Sequence, residues 1–399
     1  MIKKAGVLAS SVFLFLALFS PVLAQGGTGL TVKDSSVQAD FPGNLSFNIK
    51  AESNVNITDI RLRYTVDRES FARVTSEAFV EFVPATNVDA DWTWDMRRTG
   101  GLPPGTNLEY WWTVTDASGK VTETKPVSVR FDDKRHTWRS VTEGKVSIYW
   151  YEGDQNFANA LMSAAQQALV RLAKDTGASP EKQCMIYIYN GARDLQGALV
   201  FPQEWTGGVS FSGYNIIAIG IAPRDLEWGK RAMTHELTHL VINQVTLNPY
   251  NGLPVWLNEG LAMYNEGPLE SGFANIFNAA IASNALISVR SLASPFSADS
   301  QEAYLSYAES YSLVEFLVTH YGQEKMVALL ETFRQGSTAD NALLKAYGFD
   351  MDGLNTAWKT YITSKPTSKI IDEKSPALIS KLLSVFGLAT GSLAWGWSW

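Results

Sequence analysis

Hydrophobic and polar residues alternate along much of the chain between residues 30 and 131, which is the pattern of half-buried β-strands. Glycine- and proline-rich turns separate the alternating segments, as expected for short strands joined by tight connections. The clearest alternation occurs at residues 45–49, 60–64 and 127–131. Strands at this spacing predict an antiparallel β-sandwich over residues 25–131.

The pattern changes after a charged, turn-rich stretch at residues 132–144, which we interpret as a linker. Three apolar segments then predict strands, and helical spacing dominates from residue 228 onward. These strands are expected at residues 145–151, 185–189 and 215–221, with a helix at residues 157–176. The sequence therefore predicts an α+β multidomain protein whose second domain, residues 145–365, begins as a small sheet and ends mostly helical.

The two ends of the chain have compositions of their own. Lys3 and Lys4 precede an apolar stretch, and small residues follow up to Ala24, which predicts a signal peptide over residues 1–24 and therefore export. An uncleaved membrane anchor is the alternative. At the other end, residues 366–399 form a tail whose apolar last part either anchors the protein in a membrane or cell envelope or packs on the protein itself.

Overall composition narrows the class of protein. Hydrophobic residues make up 46% and charged residues 18% of the 399 residues, as in a globular chain. The net charge is −7, and no run of Lys or Arg forms a basic stripe. Because binding to phosphates needs clustered cations, nucleic acid is not expected as a partner.

Candidate chemistry appears in the predicted helix that begins near residue 228. His235 and His239 are four residues apart, so they project from one face of a helix and can share one Zn²⁺. Glu236, beside them, can reach a water molecule on the same ion. A catalytic zinc site needs a third protein ligand, and Glu259 is our candidate because twenty residues allow a turn and a returning helix.

These residues resemble the gluzincin zinc metallopeptidases. The resemblance rests on residues 234–239 together with residues 256–262, and it is closest to the peptidase MA-like family of exported bacterial proteins. It implies a thermolysin-like catalytic domain, one zinc ion held by His235, His239 and Glu259, Glu236 as general base, and a peptide or protein substrate. The preceding sandwich resembles immunoglobulin or fibronectin type III domains of bacterial surface proteins.

One position departs from the thermolysin pattern. Members of that type carry an aspartate four residues after the ligand glutamate, where it orients a ligand histidine. Here that position is Met263, so Asn258 or Glu266 is expected to supply the support instead.

A donor for the negative charge that develops during peptide hydrolysis is also expected. In related gluzincins a tyrosine just before a helix has this role, which favours Tyr307, with Tyr304 and Tyr311 as alternatives.

The segment before the metal-binding helix bears on the type of peptidase. In gluzincins an edge strand here pairs with an extended substrate, and we expect residues 215–221 to be that strand. Aminopeptidases carry a carboxylate nearby that binds the substrate amine, but residues 207–211 contain none. The sequence thus favours an endopeptidase over an aminopeptidase. A surface binding or adhesion protein with a non-proteolytic zinc domain is the remaining alternative.

Overall fold

The computed structural model describes residues 29–202 and 207–364. The predicted signal peptide, residues 1–24, and the predicted tail, residues 366–399, lie outside the described residues. Among the residues that are described, no helix is long and apolar enough to cross a membrane.

The N-terminal region consists of antiparallel strands in two sheets. Its strands are β1 (Thr31–Asp40), β2 (Asn44–Glu52), β3 (Ile57–Val66), β4 (Ser76–Phe79), β5 (Asn87–Asp95), β6 (Thr106–Asp116), β7 (Val121–Glu123) and β8 (Val127–Phe131). One sheet has the order β1-β2-β5, and the other has the order β4-β3-β6-β7 with β8 also paired to β6. The predicted antiparallel β-architecture is confirmed; its immunoglobulin-like or fibronectin-like character stays a prediction.

Alternation along these strands buries one face of each sheet. In β6, for example, Leu108, Tyr110, Trp112 and Val114 are buried while the residues between them are not. Because successive side chains of a strand point to opposite faces, this pattern places one row of apolar side chains between the sheets.

A third, mixed sheet follows. Its strands are β9 (Arg139–Glu143), β10 (Val146–Trp150), β11 (Cys184–Tyr189), β12 (Gly208–Phe211) and β13 (Ile216–Gly220). The order is β12-β13-β11-β10-β9, in which β13, β11 and β10 are parallel and the two outer strands are antiparallel. The inner strands are almost entirely apolar because both faces of the sheet are covered.

Two sequence-based boundaries need correction. Residues 139–143, placed in the linker, form β9 and pair with β10, so the sheet begins before residue 145. Strand β9 is mostly exposed at the sheet margin, and its polar sequence therefore looks like a loop. The strand predicted at residues 215–221 is not an edge strand either, because β12 pairs with its outer side.

Helices make up most of the C-terminal half, as predicted. They are α1 (Gln155–Thr176), α2 (Ala192–Gln196), α3 (Leu226–Thr246), α4 (Val255–Glu266), α5 (Ser271–Ala282), α6 (Val289–Leu292), α7 (Ser300–Tyr321), α8 (Gln323–Arg334), α9 (Ala339–Tyr347) and α10 (Met351–Ser364). Capping side chains fix the starts of the two longest: Asp154 accepts from Phe157 N in α1, and Asp299 accepts from Gln301 N and Glu302 N in α7.

The mixed sheet separates two hydrophobic cores. Ile186 and Ile188 of β11 face the helices, whereas Tyr187 and Tyr189 of the same strand belong to the core of the N-terminal sheets. The N-terminal domain therefore packs directly on one face of the mixed sheet, and the core on that face contains residues of both domains.

Candidate metal centre and catalytic cleft

Helix α3 presents His235 and His239 on one buried face. Their Nε2 atoms are 3.0 Å apart, with the two rings almost perpendicular. Two ring nitrogens can face each other in this way when a proton or a cation lies between them. The four-residue spacing in an unbroken helix thus produces the paired donors that the sequence predicted.

Helix α4 brings Glu259 to the same point. Its Oε2 atom lies 3.4 Å from His235 Nε2 and 3.6 Å from His239 Nε2. Gly260 makes this approach possible, because a Cβ there would lie 2.3 Å from the backbone oxygen of Ser310 in α7. The glycine lets α4 and α7 pack closely, and it therefore fixes the depth of Glu259 in the domain.

The donor set fits a zinc ion. One ligand atom from each of His235, His239 and Glu259 lies within 4.8 Å of the others, and all three residues are buried. Glu259 Oε2 has no hydrogen-bond partner among the described residues. A buried carboxylate oxygen without a donor is costly, and a cation between the three groups removes that cost.

The charges of the site are strongly coupled. Burial opposes ionisation of Glu259, but the two histidines outweigh it and lower the pKa of its carboxyl to about 2. Burial likewise disfavours charged His235, yet Glu259 and Glu266 outweigh it and raise its pKa to about 10. The pocket therefore stabilises positive charge beside Glu259, which is the electrostatic condition for a metal cation.

Glu266 supports the first histidine. Its Oε1 atom lies 2.8 Å from His235 Nδ1, so the ring can donate to the carboxylate while Nε2 points toward the other ligands. Of the two residues considered from the sequence, Asn258 lines the cleft instead. Met263 packs in an aromatic cluster with Tyr304 and Tyr307. Glu266 follows Glu259 by seven residues, two helical turns, and this spacing is a signal in the sequence that could have distinguished it from Asn258.

Arg231 extends the support and was missed in the sequence. Its Nη2 atom donates to Glu266 Oε2 at 3.0 Å, and its Nε atom lies 3.2 Å from Glu270 Oε1. Arg231 precedes His235 by four residues, so both face α4 from the same side of α3. A chain of charged groups thus runs from Glu270 through Arg231 and Glu266 to the candidate metal ligand His235.

Glu236 faces the adjacent cleft. A Cβ atom added at Gly208 would lie 3.5 Å from Glu236 Oε1, so the absence of a side chain there leaves room beside the carboxylate. Burial raises the pKa of Glu236, although the two histidines oppose the shift. A carboxylate that is easier to protonate than an ordinary glutamate is suited to accept a proton and to give it back.

The three candidate tyrosines of α7 differ in their surroundings. Tyr307 is buried, and its pKa is raised well above 10 first by burial and then by the charges of Glu259 and Glu236. Tyr304 packs edge-on against Phe273, and Tyr311 contacts Tyr264. The site carboxylates affect the pKa of Tyr307 and not those of the other two. Of the three tyrosines, Tyr307 is therefore the one whose hydroxyl interacts with the charges of Glu259 and Glu236.

The cleft itself has a volume of about 670 Å³ and runs between β12, α3 and the segment that connects α3 to α4. Strand β12 ends the mixed sheet, so its outer edge has no strand partner among the described residues. The cleft is therefore bordered both by a free strand edge and by His235 and His239 of the buried His-His-Glu group.

Comparisons with known proteins assign the chain to a family. A sequence model described as the Peptidase MA superfamily matches residues 164–364, which is just over half of the 399 residues. No curated protein matches this chain.

The similarities to solved structures are weaker. The M1 zinc metallopeptidase from Deinococcus radiodurans is 13% identical over 84% of this chain and 94% of that chain, with a TM-score of 0.35. Wild-type OgpA from Akkermansia muciniphila is 10% identical over 27% of this chain, with a TM-score of 0.21. The matched part spans 28% of the OgpA chain, less than a third of its length.

Proposed function

Because the chain belongs to the Peptidase MA superfamily and is a zinc metallopeptidase, we propose that it is an exported endopeptidase that cleaves within polypeptide chains. The observation that carries the proposal is the buried group of His235, His239 and Glu259, which adjoins an open cleft into which Glu236 projects. The family accounts for hydrolysis of peptide bonds, and the shape and charge of the cleft support the choice of internal bonds.

Each residue of the site has a role in this proposal. His235, His239 and Glu259 hold one zinc ion, which when bound supplies the Lewis acidity that lowers the pKa of a water molecule. Glu236 accepts a proton from the attacking water and then passes it to the leaving amine. Tyr307 donates a hydrogen bond to the oxygen of the former carbonyl as that oxygen becomes negative.

The lining of the cleft favours an endopeptidase. An aminopeptidase needs an anionic group that binds the free ammonium of its substrate. Among the described residues that line the cleft, Glu236 is the sole carboxylate, and its proposed role is proton transfer. The outer edge of β12 can instead pair with the main chain of a substrate that continues in both directions.

The type of bond that is cleaved distinguishes the candidates. The mature protein, beginning at residue 25 and loaded with zinc, is incubated with matched peptides whose N-termini are either free or acetylated. We expect both peptides to be cut at the same internal bond and at similar rates, and we expect Glu236→Gln to cut neither. Removal of single residues from free N-termini alone would identify an aminopeptidase, and no cleavage by a zinc-loaded wild type would favour a binding protein.

Export is part of the same proposal. It is supported by Lys3 and Lys4, the apolar stretch behind them and the small residues that end at Ala24. Expression of the full chain in a bacterial host, followed by N-terminal sequencing of the periplasmic product, tests it. A first residue of Gln25 is expected, whereas a cytoplasmic product that begins at Met1 would contradict export.

A further inference from the structure

We propose that a second cavity, next to the catalytic cleft, binds a segment of the polypeptide substrate remote from the bond that is cut. This inference rests on the proposed function and adds to it a subsite on the N-terminal domain. The cavity, which we name the exosite groove, has a volume of about 900 Å³. Its walls include Tyr64, Arg68, Trp94, Asn107, Ser128 and Tyr214.

The exosite groove adjoins the catalytic cleft. Tyr214, in the turn after β12, lines both cavities. Strand β12 starts at Gly208 beside Glu236 and leads toward this turn. Its four residues span about 10 Å at the usual rise of a strand. A chain paired with β12 would therefore leave the cleft at Tyr214 and meet the groove beyond it.

The two cavities are held in a fixed relation by the loop between β3 and β4. Glu69 of this loop donates its backbone N–H to Gly213 O at 2.6 Å. Its side chain accepts from Asn215 Nδ2 at 2.8 Å and pairs with Lys182 Nζ at 2.7 Å. Glu69 and Asn215 are largely buried, so the hydrogen bond between them is shielded from solvent, whereas the Lys182 side chain is exposed. The wall of the groove is thereby fastened to the turn that borders the cleft.

The same contacts reach the metal-binding helix. Asn215 Oδ1 accepts from Gln244 Nε2 at 2.7 Å, and Gln244 lies on α3 five residues after His239. The Gln244 carboxamide oxygen in turn accepts from the backbone of Glu181 and Lys182. Hydrogen bonds thus connect the groove to the turn after β12 and to helix α3. A substrate site that spans two domains requires such a connection.

The chemistry of the walls suits an extended polypeptide. Tyr64 and Trp94 provide adjacent aromatic surfaces, with ring centroids 4.8 Å apart. Charges of both signs are present, and Arg73 pairs with Glu109 at 2.9 Å, so the groove has no strong preference for anions or cations. Hydroxyl and amide groups of Ser128 and Asn107 can bond to a main chain. We therefore assign an unfolded segment with an apolar or aromatic side chain as the ligand.

A blocking substitution tests the assignment. Ser128 is exposed on β8 and lines the groove, so Ser128→Trp fills the cavity without disturbing the core. Val121→Trp is the matched control, because Val121 is 58% exposed on β7, which pairs with the same strand β6, and lines neither cavity. The substrates are β-casein and a hexapeptide centred on a bond of β-casein that the wild type cuts. Three residues on each side of that bond reach about 10 Å, roughly the length of β12, so the hexapeptide does not extend into the groove beyond Tyr214.

We expect Ser128→Trp to lower kcat/KM for β-casein about tenfold through KM, because two linked contacts bind more tightly than one. Hydrolysis of the hexapeptide should be unchanged, and Val121→Trp should match the wild type on both substrates. Equal loss on both substrates, or no loss on β-casein, would overturn the exosite while leaving the peptidase intact.

A binding measurement separates this proposal from the proposed function. Fluorescence anisotropy of a labelled 25-residue β-casein peptide is followed with Glu236→Gln and with the double variant Glu236→Gln/Ser128→Trp. Weaker binding by the double variant supports the groove even if the peptidase assignment fails. Equal peptide binding by the two proteins would overturn the proposal, and binding of a soluble β-glucan that Ser128→Trp abolishes would then identify the groove as a carbohydrate site.

Discussion

The two faces of the mixed sheet differ in whether their buried charged groups have hydrogen-bond partners. On the side of the N-terminal domain, Asp133 is bonded to Arg135 and to the hydroxyl of Tyr189. On the helical side, the buried residues Glu259, His239 and Glu309 each keep a polar atom without a hydrogen-bond partner among the described residues. Buried charged groups with hydrogen-bond partners are typical of a structural junction, whereas buried polar atoms without such partners need a further explanation.

The contrast distinguishes residues that stabilise the fold from residues that can bind a ligand. Asp133 and its partners join the two domains, and nothing in their arrangement calls for a ligand. Glu259 and His239 instead have atoms that a metal ion or a hydrogen-bond partner from outside the chain can satisfy. Changing one residue at a time on each face can test this division.

Apart from Glu236→Gln, the largest effect is expected from Tyr307→Phe on the helical face. Loss of a single hydroxyl that stabilises developing negative charge typically lowers kcat by about 10²- to 10³-fold. Zinc content and the free energy of unfolding should stay near the wild-type values, because the phenyl ring preserves the packing against Phe296. Steady-state kinetics on the acetylated peptide measure the effect. Tyr304→Phe is the control, and a larger loss there would transfer the role to Tyr304.

Glu266→Gln should weaken zinc binding. The amide cannot hold His235 Nδ1–H as a carboxylate does, and outer-shell changes of this kind typically reduce metal affinity by about 10- to 100-fold. Competition with a fluorescent zinc chelator gives the affinity. Glu227→Gln provides the comparison on α3, because Glu227 pairs with Lys230 at an exposed position. Unchanged zinc affinity in Glu266→Gln would contradict the supporting role that we assign to Glu266 and Arg231.

Glu309 should make stability depend on pH. Burial raises the pKa of its carboxyl to about 8, whereas an unfolded chain has a value near about 4.3. Between these values the folded state keeps a proton that the unfolded state releases, so the free energy of unfolding falls by up to about 1.4 kcal/mol per pH unit as pH rises. Glu309→Gln should flatten that decline in urea titrations at several pH values. If Glu309→Gln shows the same pH dependence of unfolding free energy as the wild type, Glu309 is not its source. The same conclusion follows if Glu302→Gln, at an exposed position, flattens the dependence equally.

The smallest effect is expected on the other face, from Tyr189→Phe. It removes one hydrogen bond to Asp133, which keeps Arg135 as its partner, so the free energy of unfolding should fall by about 1 kcal/mol. Peptidase activity at 25 °C should be unaltered, because the tyrosine lies on the opposite side of the sheet from the cleft. A loss of kcat/KM comparable to that of Tyr307→Phe would break the proposed division between the two faces.

The sequence predicted the site better than the sheet that supports it. His235, Glu236 and His239 are related by helical spacing, a local property that can be counted along the chain. Glu259 required a second helix that returns toward the first, which the twenty residues after His239 allow. These inferences depend on short stretches of residues, and the structure brings the four side chains together.

Pairing between distant segments was harder to predict. Strand β12 has only four residues, so its sequence did not reveal that it covers the outer side of β13. Strand β9 is polar because it is exposed, and it was interpreted as linker. In both cases the partner strand, rather than local periodicity, determines the structure. The exosite groove was equally hidden, since Tyr64 and Tyr214 approach only when the domains pack.

The most direct test of the account compares casein hydrolysis by the zinc-loaded wild type and by Glu236→Gln, with zinc measured in both samples. We expect one zinc per chain in each protein and a loss of activity of about 10²-fold or more in the variant, because proton transfer by Glu236 is removed while the three proposed ligands remain. Equal cleavage by the two proteins at equal zinc content would contradict it.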